Sequence, residues 1–198
     1  MTTGSELQQQ GVKLFMQRDY EEAAQIFKQA QAAYTEEAKP DLAAEMQVNL
    51  GLIDRAMGNY EAAAESMTQA RAFFAASGDK LREAQVIGNL GGVYLAQNNP
   101  EQAMTLYREA ADAFQELGDE EKYGQTLLAL AEIHMRSRKP MQALSTYEVA
   151  LDSIKDLSLR QKMLKGLIDV KNRFIGGGVP ADTLMTDGGD SPAVPKED

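Results

Sequence analysis

The 198-residue chain has no cysteine and a single histidine, His134. Without cysteine there is no disulfide, and no thiolate to serve as nucleophile or metal ligand. One histidine without convergent partners reads as a packing residue rather than a general base or a ligand. The HExxH, GxSxG and phosphate-loop patterns are missing too, and each of those holds a reactive group in a defined turn or helix. The run "GGG" at 176–178 follows a helical pattern rather than a strand, so it fails as a phosphate cradle. No enzyme activity, no cofactor and no metal are expected. Basic excess is lacking as well: a formal net charge of −10 suits the chain poorly to nucleic acid. No apolar run approaches the roughly 20 residues of a membrane span, which argues against membrane insertion. The opening "MTTGSELQQQ" has neither the basic nor the apolar region of a secretory leader. The expectation is a soluble, cytoplasmic protein.

What the chain does have is a repeat. The segments "QGVKLFMQRDYEEAAQIFKQA", "LGLIDRAMGNYEAAAESMTQA", "LGGVYLAQNNPEQAMTLYREA" and "LAEIHMRSRKPMQALSTYEVA" begin at Gln10, Leu50, Leu90 and Leu130, a period of 40 without slippage. Small residues recur at Gly11, Gly51, Gly91 and Ala131. Alanines recur at 23, 63, 103 and 143, and again at 30, 70, 110 and 150. Between the alanines of each pair stands a large residue: Phe27, Met67, Tyr107 or Tyr147. The spacing predicts two amphipathic helices per unit, joined by the tight turns "RD", "GN", "NN" and "RK". Tyr20, Tyr60, Pro100 and Pro140 open the second helices, and proline suits a first turn, where its missing N–H has no partner to lose. Each alanine pair lies two turns apart on one face, so the helices approach closely there and the large residue fills the space between them. One hairpin cannot bury its apolar face alone; stacked copies can.

This pattern resembles the tetratricopeptide repeat. Its signature is nearly complete in the third unit: Leu90-Gly91, Tyr94, Ala103, Tyr107 and Ala110. Departures are Gln10 for the leucine of the first unit, and Asp54 and His134 where the aromatic residue stands. The resemblance implies an all-α, right-handed solenoid of four helical hairpins, with repeats at about 4–40, 41–79, 80–119 and 120–157. The usual period of this family is shorter, and the extra residues fall between units, where Gly78-Asp79 and Gly118-Asp119 read as a helix C-cap followed by an N-cap. That places the chain with the long-repeat variant known from adaptor and peptide-sensing proteins. A further helix at 158–175 reads as a solubilising cap with Lys and Arg on its outer face. Its Leu167, Val170 and Phe174 follow Leu127, Leu130 and His134 by one period. From 176 to 198, Gly, Pro, Asp and Ser dominate, and an acidic, disordered tail is expected.

In repeats of this kind the first helix of each hairpin lines a concave groove, and the likeness carries that role to specific positions. They are Gln8, Val12, Phe15 and Met16 in the first unit, and Val48, Asn49, Leu52 and Arg55 in the second. The third supplies Gln85, Gly88, Asn89, Gly92 and Leu95, and the fourth Leu128, Glu132, Met135 and Arg136. Asn49 and Asn89 match the asparagine with which many such repeats hold the backbone of an extended ligand. Asn49 also matches the asparagine of the carboxylate clamp that grips chaperone C-termini. Gln8, Val12, Gly88 and Gly92 stand where that clamp needs Lys, Asn or Arg, so the clamp itself is not expected. Gly91 is a packing glycine, whereas Gly88 and Gly92 flank Asn89 with no demand from the fold. They are read as clearing space for a ligand against the helix backbone. The implied role is a non-catalytic scaffold or adaptor holding a peptide or helix of a partner protein in the groove. The rivals are a peptide-sensing regulator and a structural subunit that self-associates, as a weak homo-oligomer, through its terminal helices.

Overall fold

Proline opens a helix at 40, 100 and 140, and residues in the left-handed backbone region close most of them. The structure, a computed structural model, describes residues 2–175, with side chains through 172; the expected tail at 176–198 lies outside the described residues. Among the described residues there are nine helices and no strand. They are α1 (Gly4–Gln17), α2 (Tyr20–Glu36), α3 (Pro40–Met57), α4 (Tyr60–Ser77), α5 (Lys80–Ala96), α6 (Pro100–Glu116), α7 (Glu120–Arg136), α8 (Pro140–Ser153) and α9 (Leu159–Ile175). First helices end at Arg18, Gly58, Asn98 and Arg138, with φ of 67°, 83°, 60° and 56°. The second helices α2, α4 and α6 end at Ala38, Gly78 and Gly118, with φ of 55°, 75° and 70°. Asp79, Asn99 and Asp119 cap the helices that follow them, each side chain accepting the N–H three residues on.

The eight helices α1–α8 form four antiparallel hairpins stacked in chain order, each helix packing on the one before it and the one after it. Ala23, Ala63, Ala103 and Ala143 are wholly buried, as are Ala30, Ala110 and Ala150. Phe27 and Met67 fill the space between alanines, and Tyr107 and Tyr147 do so while half-buried. A Cβ added to Gly11 would lie 2.9 Å from the Phe27 ring, and one on Gly51 would lie 2.9 Å from Met67. The small residue of the first helix is therefore the crossing point of each hairpin.

A second layer of the same kind lies seven residues, two helical turns, away, at the open end of the hairpin. Gly4 sits under the ring of Tyr34, Ala44 packs beside Phe74, Ala84 beside Phe114, and Gly124 beneath Ile154. These positions also keep the 40-residue period. The extra residues of each repeat thus lengthen both helices and add one more small-on-large layer between them.

The chain divides into two compact units, Met1–Asp156 and Leu157–Asp198. The described part of the second is α9, whose first turn is capped by the Ser158 hydroxyl accepting from Gln161. Its repeat phase does not translate into burial. Leu130 is 4% exposed, while its counterpart Val170 is 51% exposed. Nor is the outer face simply polar, since Leu159, Met163 and Leu167 are exposed as well.

Candidate functional site

The first helices α3, α5 and α7 each turn a row of residues away from their own second helix, and two cavities open along those rows. The larger, about 400 Å³, is lined by Arg55 of α3, by Gln85, Gly88 and Asn89 of α5, by Tyr107 of α6 and by α7 from Lys122 to Ala129. The smaller, about 270 Å³, lies between Val48, Asn49 and Leu52 of α3 and Arg82, Gln85 and Asn89 of α5. Gln85 and Asn89 are common to both. They occupy successive turns of α5, which is why one helix edge serves two cavities.

Polar groups converge here without partners. The side-chain amides of Asn49, Gln85 and Asn89 make no hydrogen bond among the described residues. Arg55 forms no ion pair among them either. Other cations at the site are neutralised: Lys122 by Asp119, Arg82 by Asp41 and Asp79. Arg82 also lies over the Phe74 ring, 5.6 Å from its centre. Burial pushes the Tyr107 phenol above its ordinary pKa, and the charge of Arg55 partly draws it back. The cavity floor is therefore a patch of free amides, a neutral phenol and one unpaired guanidinium. That set can hydrogen-bond a peptide backbone and meet one negative group; it holds no activated nucleophile.

The glycines divide differently from the sequence expectation. Gly91 is a packing residue: an added Cβ would stand 3.2 Å from the Tyr107 ring. Gly88 is open, with only the Ala110 methyl 3.8 Å from such a Cβ. Gly92 is not open. The Arg55 guanidinium of the preceding repeat occupies the space above it, beside the Tyr107 hydroxyl. The chain itself uses that glycine, so its expected role as free space for a ligand is corrected.

Apart from Val48 and Leu52, which line the smaller cavity, the other expected groove residues lie away from both cavities. Gln8 is engaged within the array, accepting the Tyr34 hydroxyl and donating to Glu45 at 3.2 Å. Phe15 packs on Tyr20, with ring centres 5.6 Å apart, while Val12 and Met16 are exposed on α1. Val48 and Leu52 are half-buried against the cluster that contains Phe74 and Leu90. Glu132 and Arg136 pair with each other one turn apart on α7. Met135 is exposed, and Leu95 and Leu128 are half-buried. His134 is buried, its Nδ1 has no partner, and burial first, then Arg108 and Lys139, depress its pKa.

Tyr107, Arg82 and Lys122 were missed as cavity residues. Arg82 and Lys122 stand one period apart, each three residues after a capping Asp, and that recurrence was the available signal. Tyr107 was assigned to packing alone, because a spacing pattern places a ring and says nothing of its hydroxyl.

A family model described as tetratricopeptide repeat matches residues 42–116 and, overlapping, 82–156. No curated protein matches the chain. Among solved structures, the crystal structure of BtubC (BKLC) from P. vanneervenii is similar, with a TM-score of 0.70 and 18% identity. That match covers 98% of this chain and 87% of the other, and it is a likeness of fold.

Proposed function

The chain belongs to the tetratricopeptide repeat family, and from that premise we propose that the first-helix face of α3, α5 and α7 docks an extended segment of a partner protein. Repeats of this family are generally non-catalytic modules of protein–protein interaction, which agrees with a face that carries amides and no reactive group. The observation that carries the reading is the set of unpartnered amides of Asn49, Gln85 and Asn89 beside two joined cavities. Half-buried amides without partners gain hydrogen bonds when an extended backbone arrives, and their spacing along α3 and α5 suits a strand-like ligand rather than a compact molecule. Gly88 lets that backbone approach α5, and Arg55 offers one charge-assisted contact.

The test is capture of partners from the native lysate by the full chain and by an Asn49→Ala/Asn89→Ala variant of equal thermal stability. A protein retained by the former and lost by the latter supports the reading. Equal recovery by both refutes it.

A further inference from the structure

We propose that α9 is a second, separate docking surface, and that its occupant is an acidic amphipathic helix of a partner protein. Leu159, Met163, Leu167 and Val170 are 77%, 65%, 67% and 51% exposed. At 3.6 residues per turn they fall within an arc of roughly 80° and form one row about 17 Å long. Arg160 and Lys171 border the row on one side and Lys162 on the other; none is in an ion pair among the described residues. Five basic residues against the single acid Asp169 give this segment a net +4 in a chain of −10. A cap would turn a polar face outward. This helix turns out an apolar seam edged with positive charge.

Gly166 indicates what kind of body covers the seam. It stands on the row's edge between Lys162 and Val170, exposed, with nothing among the described residues within 4 Å of an added Cβ. A glycine inside a helix lowers its stability, and no packing among the described residues accounts for this one. In the repeats, the same device marks the crossing of a second helix: Gly11 beneath Phe27 and Gly51 beneath Met67. A large residue of an incoming helix would sit over Gly166, with the apolar row on one side and carboxylates reaching Arg160, Lys162 and Lys171 on the flanks. A second copy's α9 is disfavoured, because two segments of like charge would be brought together. A bilayer covers a broad apolar face and draws no benefit from a glycine notch, whereas the exposed row is narrow and bordered by charge on both edges.

The experiment uses the full chain and two fluorescent synthetic helices with the same leucine row and central phenylalanine, one flanked by Glu and one by Lys. The Glu-flanked helix is expected to bind, to bind more weakly as salt rises, and to lose about tenfold in affinity to Gly166→Leu. That variant fills open space and removes a helix-weakening glycine, so its helicity and melting should equal or exceed those of the wild type; Lys162→Glu/Lys171→Glu serves as an independent second variant with the same expected loss. The proposal is overturned if neither helix binds, if both bind alike, or if Gly166→Leu binds as the wild type does. It is equally overturned if the Glu-flanked helix fails while phosphatidylcholine/phosphatidylserine vesicles bind the protein. A dimer that Leu167→Glu dissociates would overturn it as well, by assigning the seam to a second copy.

Discussion

Replacing Gly88, Gly92 and Gly124 by alanine, one at a time, separates three roles that look alike in the sequence. Alanine is favoured over glycine in a helix interior by about 0.8–1 kcal/mol, so all three changes begin with the same gain. At Gly88 the new methyl meets only the Ala110 methyl, at 3.8 Å, an ordinary contact, and nearly the full gain should appear. At Gly92 the methyl displaces the end of the Arg55 side chain, which is long enough to swing aside, and the net change should be close to zero. At Gly124 it lies 2.7 Å from Ile154 and 2.8 Å from the Ala150 carbonyl. Backbone cannot yield as a side chain does, and overpacking of this kind costs about 1–3 kcal/mol. The net effect there should be a loss of about 1 kcal/mol. Urea unfolding followed by far-UV circular dichroism and by tyrosine fluorescence reads the order, provided both probes give one transition. A Gly124→Ala chain as stable as the wild type, or a destabilised Gly88→Ala chain, refutes the reasoning.

Ala38, held at φ 55°, should gain up to about 1 kcal/mol on change to glycine, and Gly118→Ala should lose a similar amount; melting temperatures moving the other way would contradict the backbone argument. Asp119→Ala should cost about 1 kcal/mol through loss of the cap to the Lys122 N–H, whereas Asp19, which makes no such bond, should tolerate alanine with little change in urea midpoint. His134 titrates below its ordinary pKa because it is buried and faces Arg108 of α6 and Lys139 of the α7–α8 turn. The unfolded chain therefore takes up the proton first: the contribution is full above about pH 6.5 and is lost as pH falls below that value through the depressed folded-state pKa. Melting curves from pH 7.5 to 5 should show this slope, and His134→Tyr, the residue at the equivalent position 94, should flatten it.

The hairpins were legible because every repeat carries the same small-on-large contact at the same spacing, Gly11 on Phe27 and Gly51 on Met67 among them. Helix ends were legible where Gly78-Asp79 and Gly118-Asp119 announce a left-handed turn and a cap. Arg18, Ala38 and Arg138 adopt the same left-handed turn without any such residue, since tertiary packing overrides local preference there. The second layer escaped notice because its small partners are mixed, Gly4, Ala44, Ala84 and Gly124, and lie where the family signature has no marker. At the candidate site, Gln85, Gly88 and Asn89 do share a cavity with Arg55. That Arg55 would cover Gly92, and that Gln8 would be engaged by Tyr34 and Glu45, depend on side chains crossing between repeats, which a pattern read within one repeat cannot supply.

The most direct measurement places a photo-crosslinking amino acid at position 89, on the first-helix face, and separately at exposed position 72, on the second helix α4, in the native cell. The account expects position 89 to trap one partner segment reproducibly and position 72 not to trap it, with Asn49→Ala suppressing the first adduct. Equal adducts from both positions, or none from position 89 while the protein still captures its partner, would contradict the claim that the first-helix face is where this chain binds.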